Sequence, residues 1–158
     1  AIVADITGRT PPAVALDRYR AERDHVLREQ VEAVPGVRAV LETLTVPYCL
    51  ASSGDHDKMR ATLGTTHLLP LFAGRIFSAT EVARGKPAPD VFLLAAERMG
   101  VAPERAVVIE DSVNGVLAGR AAGMTVFGFT GTYEAAALAA AGAERTFGAM
   151  ADLPALLA

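Results

Sequence analysis

The chain has 158 residues, 51% of them hydrophobic and 21% charged, a composition that can bury the core of one domain and excludes a disordered polyelectrolyte. A net charge of −3 and an isoelectric point near 5.6 supply no basic surface for nucleic acid or anionic lipid. No apolar run is as long as a membrane span, no basic stretch leads into an apolar signal core, and the lone Cys49 rules out an internal disulfide, so a cytoplasmic protein, monomeric or weakly dimeric, is expected.

In chain order, residues 13–31 carry Val14, Tyr19 and Val26 at helical spacing among many charges, which predicts one long solvated helix. Pro35-Gly36 breaks the chain, and a shorter helix is expected over 36–44. Short apolar strands then alternate with helices. The strands are expected at 46–52, 75–79, 106–111, 125–130 and 145–148, and the helices at 55–63, 88–99, 113–122, 134–141 and 152–157. Gly64, Gly100, Gly123 and Gly142 fall where helix C-termini should be. Cys49 lies inside the apolar run VPYCLA, where a buried, inert thiol is expected. Apolar strands separated by helices describe an α/β fold, a Rossmann-like doubly wound parallel sheet covered on both faces.

In such sheets ligands bind beyond the carboxyl ends of the strands, so the polar residues that end each strand mark the site. The first strand ends in Ser52-Ser53-Gly54, where a hydroxyl and backbone N–H groups at a helix start could cradle an anion or simply cap the helix. The strand 106–111 ends in Glu110-Asp111. Adjacent carboxylates repel one another, and a hard divalent cation such as magnesium relieves that repulsion; capping by Asp111 or Ser112 explains one residue but not the pair. Lys86 sits in the loop GKPAPD, where glycine and prolines direct one long side chain. The chain has thirteen arginines and only two lysines, Lys58 and Lys86, so a lysine kept in this loop suggests a compact positive charge for a phosphoryl group. A solvated surface lysine is the plain alternative, and it is the reading adopted for Lys58.

These three motifs, in order, resemble the haloacid dehalogenase superfamily, in the branch of β-phosphoglucomutase and small sugar-phosphate phosphatases. YCLASSG is similar to its second motif, GKPAPDVF to its third and VVIEDSVNGVLAGRAAGM to its fourth. The resemblance implies that Ser52 hydrogen-bonds the phosphoryl group and that Lys86 stabilises it. It further implies that Ser53, Gly54 and Asn114 contact substrate and that Glu110 and Asp111 hold magnesium. The implied activity is hydrolysis of a small phosphorylated metabolite, a sugar or polyol phosphate, through an aspartyl-phosphate.

The opening AIVADITGRT departs from the pattern. The family's nucleophile lies in a DxDGT-like first motif after an apolar strand, and Asp5 has neither that strand nor a second aspartate two residues on. The opening resembles instead the later part of a helical cap. Residues 1–33 are therefore expected to be the C-terminal part of the cap and residues 34–158 an incomplete core. The central first strand and the nucleophile are expected to be missing, leaving a gap between the strands that carry Ser52 and Glu110, and the chain is expected to be inactive alone. A phosphomutase or a non-catalytic phosphometabolite-binding module are the alternatives. A dehalogenase needs no such carboxylate pair, and a phosphonatase needs a cap lysine that residues 1–33 lack.

Overall fold

A computed structural model describes residues 14, 15, 17–19, 21, 22, 25 and 31–158. Of the expected helix over 13–31, the described positions Val14, Ala15, Asp17, Arg18, Tyr19, Ala21, Glu22 and His25 are helical and exposed. The rest of that helix and the opening around Asp5 lie outside the described residues.

From Val37 onward the elements alternate as the apolar pattern requires: α1 (Val37–Thr43), β1 (Leu50–Ser52), α2 (His56–Thr65), β2 (Ile76–Ser78), α3 (Asp90–Met99), β3 (Val107–Glu110), α4 (Val113–Ala121), β4 (Thr125–Phe129), α5 (Ala135–Ala140), β5 (Arg145–Phe147) and α6 (Leu153–Leu157). Among the described residues every ladder is parallel. β1 pairs with β2, Ser52 opposite Ser78, while β3 pairs with β4 and β4 with β5. Among the described residues no ladder joins β1 to β3; the two sheets adjoin along a seam where Ala51 of β1 packs against the cluster of Val108 and Val126.

Side chains of successive strand residues point to opposite faces, and the core divides accordingly. Val108 and Val126 pack with Val91, Phe92 and Ala96 of α3, Val116 and Ala118 of α4 and Leu138 of α5. The next residues along, Ile109 and Phe127, pack with Val40, Phe147, Leu153 and Leu157 on the other face. A third cluster of Leu63, Leu68 and Phe72, with Leu50 and Ile76 against it, fills the β1–β2 end. Val91, Val116, Val126 and Leu138 are fully buried, each worth about 1.5–3 kcal/mol of transfer energy. No helix of the described residues is long and apolar enough to cross a membrane.

Two expectations are corrected. The strand expected over 46–52 is realised only at Leu50–Ser52. Pro47 has no N–H to give to a ladder, Tyr48 packs edge-on against Phe72 with ring centres 5.6 Å apart, and Leu50 N–H to the Arg75 carbonyl, 2.9 Å, precedes the pairing. Gly64 does not end its helix. It lies inside α2, which runs to Thr65, and the left-handed backbone beyond the helix belongs to His67 at φ 56°. The Arg38 guanidinium bonds the His67 carbonyl, a tertiary contact at the turn that the local sequence does not announce. Gly100, Gly123 and Gly142 do take left-handed backbone just after α3, α4 and α5.

Candidate active site

The carboxyl ends of β1 and β3 face one another across the seam, and Lys86 lies between them. Its side chain is 8% exposed. An ammonium buried to that degree is costly unless fully partnered, and Lys86 Nζ has three partners. It forms an ion pair with Glu110 Oε1, donates to the Ala51 carbonyl at 3.2 Å, and sits 4.4 Å from the centre of the Phe92 ring. One partner comes from β1, one from β3 and one from α3. The ammonium is thus a fixed charge at the seam and not a solvated surface group. The loop that delivers it is braced by Arg84, whose guanidinium grips Asp90 at 2.8 and 3.2 Å. That grip holds the Asp90 carboxyl below its usual range and the Arg84 guanidinium above its own.

Glu110, 10% exposed, uses its second oxygen on Ser112, accepting from the Ser112 hydroxyl at 2.9 Å and its N–H at 3.3 Å. The same hydroxyl accepts from the Gly115 N–H at 3.0 Å and so caps α4. Capping and carboxylate binding are therefore carried by one residue. Asp111, though adjacent in sequence, points elsewhere. It is exposed, and its Oδ2 accepts from the Thr132 hydroxyl at 2.6 Å, in the loop after β4.

On the β1 side, Ser52 Oγ accepts from the Gly54 N–H at 3.1 Å. Asp55, not Ser53, caps α2, its side chain accepting from the Lys58 N–H at 2.7 Å. Ser53 is exposed at the mouth of this loop, and Asn114 is exposed on the first turn of α4. The structure thus brings Lys86, Glu110 and the end of β1 into one cluster. Asp111 stands beside it in sequence but bonds Thr132, and Ser53 and Asn114 make no hydrogen bond to the Lys86–Glu110 pair. Cys49 is half-buried and not fully buried as expected; burial pushes its thiol up, with Arg75 pulling the other way.

Sequence reasoning passed over Ser112 and Thr132 as ligands of the two carboxylates, and Gly115 beneath Glu110. The serine and glycine stand in the fourth motif in the helix-start pattern S-x-x-G. The threonine lies twenty-one residues beyond Asp111, where only the fold joins them. Among the described residues no three of His, Cys, Asp and Glu converge into a complete cation cage. The donors present still fit a hard divalent ion. A carboxylate oxygen has more than one lone pair, and magnesium takes one or two carboxylates and completes its shell with water and phosphate oxygens.

The model of the haloacid dehalogenase-like hydrolase family matches residues 4–123, and the chain belongs to that family. It is 37% identical over 111 residues to 6-phosphogluconate phosphatase of Escherichia coli, covering 70% of this chain and 50% of that protein. A conserved haloacid dehalogenase-like protein of unknown function from Agrobacterium tumefaciens superposes with a TM-score of 0.84 at 40% identity, covering 98% of this chain and 73% of that one. A haloacid dehalogenase family hydrolase from Deinococcus radiodurans, solved with bound phosphate and sodium, gives a TM-score of 0.81 at 34% identity, covering 98% and 71%. The chain spans about half the length of curated relatives such as the E. coli phosphatase.

Proposed function

We propose that the protein to which this chain belongs hydrolyses phosphate monoesters of a small metabolite, a sugar or polyol phosphate. The observation that carries this reading is the buried ammonium of Lys86, fixed by Glu110 and the Ala51 carbonyl where β1 and β3 end. A charge fixed before substrate arrives, in a site with little water, is the arrangement that stabilises a transferring phosphoryl group. The sugar-phosphate class is supported by the relative that acts as a 6-phosphogluconate phosphatase.

In this reading each residue has a distinct task. Lys86 neutralises phosphoryl oxygens. Ser52 already accepts from Gly54, which leaves its own proton to donate to a phosphoryl oxygen. Ser53 stands exposed at the loop mouth and, with Asn114, would meet the leaving-group side of the substrate. Glu110 and Asp111 would hold magnesium, which supplies charge neutralisation at the phosphoryl oxygens when bound. The 158 residues contain no Asp-X-Asp-Gly-Thr stretch, so the aspartate that would form the phosphoenzyme is assigned to sequence outside them. Residues 1–33 are assigned to the C-terminal part of a cap that screens the site from water.

The test is phosphate release by the full-length protein from a panel of hexose, hexitol and sugar-acid phosphates, with magnesium and with chelator. Magnesium-dependent turnover of at least one is expected. No release from any phosphomonoester overturns the reading.

A further inference from the structure

Ser78, at the end of β2, is the one buried polar residue among the described residues, with no measurable exposure, and the chemistry proposed above does not use it. Its hydroxyl does more than cap the turn that follows. It accepts from the Thr80 N–H at 3.1 Å and lies 2.8 Å from the Thr80 hydroxyl. It also reaches across the ladder, donating to the Gly54 carbonyl at 2.7 Å. The Ser78 N–H donates to Glu81 Oε1 at 2.7 Å, and the same oxygen lies 2.9 Å from His56 Nε2, at the first residue of α2. The Ser78 N–H bond holds the Glu81 carboxyl below its usual range, burial pushing the other way and His56 adding to the lowering.

These bonds form two ties from the 78–81 turn to the β1–α2 loop, one at Gly54 and one at His56. Between them and Ser52 lies a short stretch of backbone. Gly54 is held on both sides, its N–H by Ser52 Oγ and its C=O by Ser78 Oγ. The direction of the Ser52 hydroxyl is therefore linked, through the single residue Gly54 and the two peptide units that flank its Cα, to a buried hydroxyl on the neighbouring strand.

We propose that Ser78 and Glu81 are positioning residues for the phosphoryl-binding loop, Ser78 fixing the Gly54 carbonyl and with it the residue whose N–H orients Ser52, and Glu81 fixing the start of α2 through His56. This assignment rests on the reading of Ser52 as a phosphoryl contact. Its physical basis is that a hydroxyl donor works only if its direction is set beforehand, and a misplacement near 1 Å can cost on the order of 10²-fold in rate.

The experiment is a double-mutant cycle in the full-length protein. Ser78→Ala, Ser52→Ala and the double variant are compared in kcat and KM for a phosphomonoester, in the inhibition constant of inorganic phosphate and in thermal midpoint. Ser78→Ala is expected to lower kcat/KM by roughly 10-fold and to weaken phosphate inhibition. In the Ser52→Ala background the same change should have an effect of no more than about two-fold. Glu81→Ala, in an exposed turn, is expected to fold and to show a smaller loss of the same kind. Independent, multiplying effects of Ser78 and Ser52 overturn the proposal, as does wild-type phosphate inhibition in Ser78→Ala. If Ser78→Ala does not fold, unchanged kinetics in Glu81→Ala overturn it alone. A wild-type protein that binds inorganic phosphate in a Ser78-dependent way but hydrolyses nothing upholds the loop assignment and sinks the hydrolase reading. One that hydrolyses well while the cycle is additive does the reverse.

Discussion

Gly115 and Glu110 are in such close contact that a side chain at position 115 would occupy the space of the carboxylate: a Cβ there would lie 1.9 Å from Glu110 Cδ and 2.0 Å from Oε2. The glycine is buried on the first turn of α4, and its absent side chain is the floor on which Glu110 rests. Gly115→Ala is therefore expected to push Glu110 off Lys86 and Ser112. The change should cost about 1–3 kcal/mol through overpacking, and it should reduce turnover beyond what Ser112→Ala does. Thermal melts and kcat of the two variants, side by side, check this; wild-type turnover in Gly115→Ala would show that Glu110 needs no fixed place.

Lys86→Arg separates chemistry from surface charge. A solvated lysine would tolerate the change, and this arginine-rich chain would be a permissive host. The pocket formed by Glu110, the Ala51 carbonyl and the Phe92 ring holds a compact ammonium, and a planar guanidinium does not present a point charge there. In the full-length protein kcat is expected to fall by about 10²–10³-fold, with a smaller change in KM. A variant with normal kcat returns Lys86 to an ordinary structural ion pair.

Asp111 takes its direction from Thr132. If Asp111 holds magnesium, Thr132→Val removes the hydrogen bond at nearly constant volume and should raise the magnesium concentration for half-maximal activity by about 10-fold. Asp111→Ala should abolish most of the magnesium response, and Glu110→Ala should be milder, since water can replace one carboxylate. Activity titrations with magnesium decide it: an unchanged metal dependence in Asp111→Ala removes the metal assignment.

The Arg84–Asp90 pair predicts a pH dependence with a definite sign. Arg84 holds the Asp90 carboxyl below its usual range, so the folded state binds the proton less readily than the unfolded chain. The stabilisation is then complete above the unfolded value of about 4 and is lost as the pH falls through the lower folded value. Melting temperature should drop as the pH falls below about 4, and Asp90→Asn should flatten part of that drop. An identical slope in the variant would show that the pair does not hold the loop.

How much of this was legible depends on whether the signal was local. Lys86 and Glu110-Asp111 could be read because strand ends define where ligands meet, and because a rare lysine and a carboxylate pair at such ends demand partners. The different protein partners of the two carboxylates, Lys86 and Ser112 for Glu110 and Thr132 for Asp111, could not be read, because the last depends on where the loop after β4 returns. Ser78 was hidden for the same reason. In the sequence FSATE reads only as the end of a strand; the structure ends β2 at Ser78 and makes that residue the cap of the turn that follows, and nothing in the local sequence reveals that its hydroxyl reaches Gly54, twenty-four residues earlier. Gly64 misled in the opposite direction: a glycine at a plausible helix end was absorbed into α2, and the turn closes three residues later, where the His67 N–H bonds the Gly64 carbonyl at 3.0 Å and the Leu68 N–H the Leu63 carbonyl at 2.8 Å.

The position of Lys86 has one more consequence. Its nitrogen is held at once by a carbonyl of one sheet and a carboxylate of the other, so one atom both links the two sheets and places a positive charge where their strands end. The cation does not have to be gathered from solvent when negative charge arrives; its orientation was settled as the chain folded. Solvent dipoles that would otherwise have to turn during the reaction are replaced by groups that have no further to move.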